Sequence, residues 1–400
     1  MASFSFSTIC NMLFKPNRSK ILYTFGFKPY SIVINSKQLS AAVKALAPIA
    51  AKGYFTDILL EVESNTATIT ATSLDVTAKK TIELPFANSA NFATAVPSQL
   101  LNDLLQKLPD QQLTVELLEN DILKITWANG SAKLSCTESD NFPSPPIDEI
   151  TTDSLIVLKA ADFKTVINKT LWATSNDELR PALTGVFVKS ENNNLIFCAT
   201  DATKLIELTI PSNIGANIGS NIEAIIPSAA LTILRAIIAD SDSGETITLG
   251  LDEKNAVFTF EGFIFICRLI DAKFPPYKSI IPTNNDKFAA IDIAPLKSAL
   301  RRVSIFSNSN SLGVALELSN NEIKLTAQDI DFQREAAETM TCEFNSSEFI
   351  IKFNYKNVLA ALDILNSDIC NFSFSVPNRA ALIAENNNNY NLTILLMPIM

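Results

Sequence analysis

Three stretches of this chain repeat one another at a fixed interval, and that interval constrains the fold more than any other feature. LIFCATDATKL runs from Leu195 to Leu205, ATITATSLDV from Ala67 to Val76, and IKLTAQDIDF from Ile323 to Phe332. Each is an alternating apolar run that gives way to a polar turn, and Ala71, Ala199 and Ala327 at the junctions lie 128 residues apart. Alternation at period two reads as a half-buried strand. A fixed internal period means that one structural unit is written several times. Four hundred residues also exceed what one hydrophobic core holds.

The same order of elements can be read in each copy. In the first, a short strand at 30–34 leads to a helix with Leu39, Val43 and Leu46 on one face. Strands follow at 58–62, 67–72 and 79–84, and Pro97-Ser98 opens a second helix carrying Leu101, Leu104, Leu105 and Leu108. Strands at 113–118, 122–127 and 132–136 close the copy, which ends in FPSPP. The second copy ends in the related FPPYKSIIP, Phe274 to Pro282, and Pro-rich ends of this kind read as stiff linkers. The spacing predicts domains over 30–148, 153–282 and 285–400, each with two helices and several strands, in an α+β class. Residues 1–29 stand apart: rich in Ser and Phe, with Lys15, Arg18, Lys20 and Lys28, and no acid before Asp57. They read either as an organelle transit peptide or as a dispensable extension from a start codon placed too far upstream.

Composition removes several functions. The chain has no histidine, which excludes Ser-His-Asp and Cys-His catalysis and the commonest transition-metal ligand. Its six cysteines, at 10, 136, 198, 267, 342 and 370, form no C-x-x-C pair and suit a reducing cytoplasm. Only 10 glycines occur and neither G-x-G-x-x-G nor G-x-x-x-x-G-K-[ST] is present, so nucleotide binding through those loops is out. No cofactor is expected. No apolar run reaches the roughly 18 residues of a membrane span.

Net charge is −10, which by itself speaks against a nucleic-acid partner. Its distribution speaks otherwise. Six helical segments are expected, with Lys37 and Lys44 in 37–47, Asp103 and Lys107 in 98–108, and Asp162, Lys164 and Lys169 in 160–170. Arg235 falls in 228–239, Lys297, Arg301 and Arg302 in 294–303, and Lys356 and Asp363 in 354–365. Together these segments are +7 inside an acidic chain. A lone lysine on a helix face reads as solvation. Six helices that are each neutral or basic suggest one shared electropositive face, able to hold phosphates without reading sequence.

With those residues in view, the chain resembles the bacterial DNA polymerase III sliding clamp (beta subunit) family. The motifs that carry the resemblance are ATDATKL (Ala199–Leu205), FIFICRLIDAKFPPYKSIIP (Phe263–Pro282) and LLMPIM (Leu395–Met400), in that order, over residue 30 to the end. Membership implies three clamp domains per chain and a head-to-tail homodimer closing a ring. Double-stranded DNA would be held topologically, with no base-reading contacts. It implies that Lys44, Lys52, Lys107, Lys164, Lys169, Arg180, Arg235, Lys297, Arg301, Arg302 and Lys356 face the duplex. It implies a groove for short peptides of the DNA polymerase III catalytic subunit, the clamp loader and other replication and repair proteins. By position that groove would be lined by Leu183, Thr200, Ala202, Thr203, Lys204, Leu205, Pro275, Ser279, Ile280 and Asn354. Leu395, Leu396, Met397, Pro398, Ile399 and Met400 would complete it. Such Leu, Ile, Met and Pro side chains can form an adaptable apolar cleft. The dimer contact would pair Ala132 and Leu134 with Ile305 and Phe306.

The sequence departs from the family in its turn, Ala202-Thr203-Lys204 where many relatives have Gly-His-Arg, so that no imidazole or guanidinium fork is available there. Asp177 and Glu178 sit beside Arg180 and weaken its field. Several of these residues have plainer readings: Ile305 and Phe306 as ordinary core, and Leu395 and Leu396 as a buried strand that could also border a groove. Asp201 and Asp329 recur one period apart and could suggest paired acid–base work. Ser73 stands at the third position, and Asp after a strand is common turn chemistry. A non-catalytic repeat-built surface or scaffold protein is the alternative function; it would want a signal peptide and would not put its basic residues on helices.

Overall fold

In the computed structural model the described residues are 30–399, apart from Tyr54, Leu74, 86–90, 144–153, Asn193, 212–221, 241–243 and 387–388. The extension over 1–29, the linker around 148–153 and Met400 lie outside the described residues. The first repeat runs β1 (Tyr30–Asn35), α1 (Ser36–Ala50), β2 (Asp57–Glu63), β3 (Thr66–Thr72), β4 (Val76–Glu83) and β5 (Phe92–Pro97). It continues with α2 (Ser98–Leu105), β6 (Gln112–Leu118), β7 (Ile122–Trp127), β8 (Gly130–Ser135) and β9 (Thr137–Glu138). The second has β10 (Ser154–Lys159), α3 (Ala160–Thr170), β11 (Gly185–Glu191), β12 (Asn194–Thr200), β13 (Lys204–Pro211) and β14 (Glu223–Pro227). After them come α4 (Ser228–Ile237), β15 (Thr246–Leu251), β16 (Asn255–Phe260) and β17 (Phe263–Arg268). The third has β18 (Lys287–Asp292), α5 (Ile293–Val303), β19 (Gly313–Ser319), β20 (Glu322–Asp329), β21 (Arg334–Thr341), β22 (Glu343–Phe344) and β23 (Phe349–Asn354). It closes with α6 (Tyr355–Asp363), β24 (Ile369–Phe374), β25 (Ala381–Asn386) and β26 (Asn391–Leu396).

Two kinds of element differ from the sequence reading. β5, β14 and β23, the strands that lead into each second helix, were not among the expected strands. Each is only five or six residues long and mixes apolar with small or polar residues, so its periodicity is weak. Helix α2 also stops at Leu105, which leaves Lys107 in the turn that follows.

The chain forms two compact units, one of residues up to 153 with Gly250–Arg268, the other of Ser154–Leu249 with Leu269–Met400. In the first, β1–β6–β7–β8 make one antiparallel sheet, and β16–β17–β4–β3–β2–β5–β9 are neighbours in another. Helices α1 and α2 pack on each other, and α1 lies across β3 and β4. The Asn35 side chain caps α1 by accepting from the Lys37 and Gln38 amides. Leu39, Val43, Leu46 and Ile49 form the buried stripe.

In the second unit the sheet order is β14–β11–β12–β13–β26–β25–β24–β18–β22, with a separate sheet β21–β20–β19–β23. The central step, β13 on β26, joins the second repeat to the third with Leu205 opposite Leu395 and Ile206 opposite Ile394. In the first unit β17 of the second repeat joins β4 of the first with Phe265 opposite Ala78. One rule describes both seams. The third strand of a repeat's first half (β4, β13) pairs with the last ladder strand of the next repeat (β17, β26). By that rule β21 of the third repeat and β8 of the first remain, and each ends its sheet.

A buried polar cluster also ties the second repeat to the third. Lys169 on α3 is only 4% exposed and donates to the Ile364 carbonyl. Its Nζ lies 4.0 Å from Glu385 and 5.1 Å from the centre of the Tyr390 ring. Glu385 in turn accepts from the Tyr390 hydroxyl at 2.7 Å and the Asn366 amide at 2.9 Å. Burial lowers the Lys169 pKa, and Glu385 offsets part of that shift. Removing one member of a buried pair strands the other. Lys169→Ala is therefore expected to lower unfolding free energy by about 3 kcal/mol in urea titrations. Lys169→Met combined with Glu385→Gln should return most of that loss.

Candidate functional site

The polar turn between β12 and β13 is rigid because its own side chains bond it shut. Asp201 accepts from the Thr203 amide at 2.8 Å, the Lys204 amide at 3.0 Å and the Thr203 hydroxyl at 2.8 Å. Thr200, which is buried, accepts from the Ala202 amide at 3.1 Å and donates to the Lys204 carbonyl at 2.6 Å. Lys204 pairs with Asp201 and holds its ammonium 5.6 Å from the centre of the Trp172 ring. Burial opposes ionisation of Asp201, but hydrogen bonds from Lys204 and Thr203 outweigh it and keep the carboxyl below its ordinary 3.8. A depressed carboxylate adds stability above its unfolded pKa and loses it as pH falls through the folded value. The turn therefore loosens only below about pH 4.

The second wall is the carboxyl-terminal tail. After β26, the Met397 amide donates to the Thr203 carbonyl at 2.9 Å and the Ile399 amide to the Lys352 carbonyl at 2.7 Å. Asn357 reaches the Thr203 hydroxyl at 3.3 Å, and Asn354 caps α6 by accepting from Lys356. Beneath both walls lies an apolar floor of Phe187, Cys198, Leu205, Ile225, Phe274, Tyr277, Ala380 and Leu395. Phe187 and Phe274 stack with centroids 4.7 Å apart. Tyr277 donates to Glu207 at 2.6 Å, and burial first, then that carboxylate, raises its pKa.

The structure brings Thr200, Ala202, Thr203, Lys204 and Leu205 together with Leu395–Ile399 and Asn354 in one unit. Phe274 and Tyr277, flanking Pro275 and preceding Ser279 and Ile280, share that floor. The expected lining residues differ in what they offer. Leu183, Leu205, Leu395 and Leu396 are buried, and of these Leu205 and Leu395 belong to the floor. Ile280 at 52% and Met397 at 41% present apolar surface to solvent, beside exposed Ala202, Thr203, Pro275 and Ser279. Pro398, Ile399, Lys204 and Asn354 are half-buried. Met400 lies outside the described residues. Trp172, Lys352 and Asn357 were absent from the expected set; their roles come from tertiary proximity, and no local pattern marks them.

The basic residues divide as well. Lys44, Lys52, Lys107, Arg235, Arg301 and Lys356 are exposed and have no carboxylate partner among the described residues. Arg180 is held by Asp177 at 2.8 Å and Arg302 by Glu338 at 2.9 Å, and Lys297 pairs with Asp363. Lys164 donates to the Ala239 carbonyl at 3.1 Å. Lys169 does not fit a DNA-facing role: it points into the cluster with Glu385, because at that position of α3 the inner face meets the third repeat. Of the interface residues, Ile305 is 74% and Phe306 39% exposed, which removes the reading of both as core. Ala132 is half-buried, and Leu134 is buried within its own unit. The buried thiols are poor nucleophiles, with Cys267 pushed up to about 12 by burial.

Family models for the DNA polymerase III beta subunit match the chain along most of its length. The N-terminal domain matches 34–146, the central domain 157–276 and the C-terminal domain 278–400. The chain is similar to a beta sliding clamp of Vibrio cholerae, 26% identical over 343 residues, covering 86% of this chain and 91% of that one. A beta sliding clamp of Synechococcus elongatus is 28% identical over 351 residues, with the same coverage. Among solved structures, a Pseudomonas aeruginosa DNA polymerase III subunit beta has a TM-score of 0.85 at 24% identity, covering 92% of this chain and 100% of that one. A Pseudomonas aeruginosa sliding clamp bound to griselimycin has a TM-score of 0.86 at 24% identity, covering 93% and 100%.

Ala202 holds a φ of 76°, a region that disfavours any residue with a Cβ. Ala202→Gly should therefore raise unfolding free energy by about 0.5–1 kcal/mol, the relief of that strain exceeding glycine's extra chain entropy. Differential scanning calorimetry would show it as a higher midpoint.

Proposed function

The chain belongs to the DNA polymerase III beta subunit family, and from that premise we propose how its surfaces serve a sliding clamp. It is a non-catalytic accessory subunit. Two copies meet head to tail and close into a ring of six clamp domains around duplex DNA. The observation that carries this reading is the seam rule. Two of the three edge pairings that the repeats can make occur within the chain, and the third leaves β8 and β21 with open edges. Within the chain neither edge is paired, whereas two copies related by a twofold axis would satisfy all four. Open edges are an aggregation hazard that closure removes.

The exposed cations Lys44, Lys52, Lys107, Arg235, Arg301 and Lys356 are proposed to line the hole. Cations without a carboxylate partner, four of them on helices and Lys52 and Lys107 in the turns that follow helices, attract phosphate without choosing a base. Ion pairs at Arg180, Lys297 and Arg302 moderate the field, which suits a ring that must slide. The turn at 200–205 and the tail at 395–400 are proposed to hold a short extended peptide of the polymerase catalytic subunit, the clamp loader or another replication or repair protein. Ile280 and Met397 would meet its apolar side chains, and Lys204, already paired with Asp201, would add little net charge. The work is assigned to the cytoplasm.

Topology tests the ring directly. The protein, loaded on nicked circular DNA, should be retained through gel filtration and lost once the circle is cut; equal retention on both forms would refute encirclement. The groove has its own check. Deleting Met397–Met400 should reduce affinity for a fluorescent clamp-binding peptide at least tenfold while the dimer persists in sedimentation. An unchanged peptide affinity would remove the tail from the site.

A further inference from the structure

The far end of the second unit's nine-stranded sheet carries a hollow that the groove does not use. β22 is the last strand there, four strand steps and so about 19 Å from β26, which leads into the tail. The hollow holds about 870 Å³, and its lining includes Phe288, Asn321, Cys342, Glu343, Phe344 and Phe372. All of these belong to the third repeat.

Its walls are fixed before anything binds. Asn321, in the turn between β19 and β20, accepts from the Cys342 amide through its carbonyl at 3.0 Å and from the Phe344 amide through its side chain at 3.3 Å. The Asn345 side chain accepts from the Phe288 amide at 2.6 Å, and the Asn345 amide donates to the Phe288 carbonyl at 3.2 Å. The crossover from β21 to β22 is thereby tied to both sheets of the repeat. A preformed concave site loses little entropy on binding. Because the Phe344 amide is already taken, β22 is a poor edge for an added strand, and an occupant must bind through its side chains.

Two features say which side chains. Phe288 is 52% exposed because its neighbour across β24 is Ser373, too small to cover the ring. Charge around that ring is one-sided. Glu343 on β22 and Glu322, next to Asn321, are exposed and have no ion-pair partner among the described residues. The adjacent cation, Lys287, is spent: it pairs with Asp286 at 2.9 Å and lies 5.8 Å from the centre of the Phe349 ring. The Glu322 charge is felt at the wall, since it raises the Cys342 pKa, second only to burial.

We propose that this hollow is a second docking site, for a peptide segment in which an arginine or lysine adjoins an aromatic residue. The aromatic ring packs against Phe288 and Phe344. The cation meets Glu343 and Glu322 with its stem along the Phe288 face. The site goes beyond the groove reading and, lying within one repeat, does not depend on the ring.

Fluorescence anisotropy with the full chain tests it, using a labelled Gly-Ser peptide that carries one Phe-Arg pair. The peptide should bind saturably, and its Phe-Asp counterpart should bind at least about tenfold more weakly. Glu343→Gln should weaken the Phe-Arg peptide by about fourfold and Phe288→Ser by about tenfold. Both residues are exposed, so affinity for a clamp-binding peptide in the groove should stay unchanged in both variants. No saturable binding at millimolar peptide, or equal affinity for the Phe-Arg and Phe-Asp forms, would overturn the proposal. So would indifference to Glu343→Gln. Self-association of the protein that Phe288→Ser abolishes would make a second copy the occupant and overturn it too. Failure of the groove peptide to bind the unsubstituted chain would count against the groove alone.

Discussion

Backbone pairing between the edges of successive repeats is the interaction on which the rest depends. β13 and β26 exchange main-chain hydrogen bonds from Lys204–Leu396 to Thr209–Asn391, and so fuse two sandwich halves into one nine-stranded sheet. That pairing fixes the β12–β13 turn next to the tail, and the proposed groove depends on the two being held there. Main-chain bonding is indifferent to side chains, which leaves the sequence of each repeat free to diverge around a constant joint. The side chains at the joint then carry separate duties: Leu205 and Leu395 fill the floor, while Thr203 and Met397 bond across its rim.

Much of the fold was legible because repetition compounds weak signals. One alternating run at 195–200 is an ambiguous strand, but three of them at a fixed period define a unit. The short strands β5, β14 and β23 escaped because they are brief and end at the helix start, where the pattern changes period. The site was legible only in part. The turn and tail stood out as motifs, whereas Trp172, Lys352 and Asn357 join them through tertiary packing that no spacing encodes. Lys169 is the instructive failure: a lysine on a helix in an acidic chain looks like lining, and only the third repeat's Glu385 reveals it as buried glue. Exposure likewise decided Ile305 and Phe306, which composition leaves evenly open.

Electrostatics in this chain are organised by local neutralisation. Arg180 with Asp177, Lys297 with Asp363, Arg302 with Glu338 and Lys204 with Asp201 each neutralise a cation locally. What remains is a sparse set of unpaired cations. Surface pairs of this kind contribute little stability, so their effect is chiefly on the field. A strongly attractive lining would hold phosphates in place; a diluted one lets them exchange with solvent ions as the duplex moves.

The β13–β26 joint also has a consequence for biosynthesis. Lys204 pairs with Leu396, 192 positions later in the chain. During translation the edge of β13, carrying Leu205, Ile206, Leu208 and Ile210, must wait unpaired until the third repeat has been made and folded. Long-range pairing of this kind is slow, and an apolar edge left open is a template for wrong strands. Pro211 at the end of β13 lacks a backbone donor, which discourages foreign strands from extending the sheet there over that interval. The nascent chain is thus most vulnerable midway through synthesis, and a chaperone that shields one strand for the duration of one repeat would meet the need.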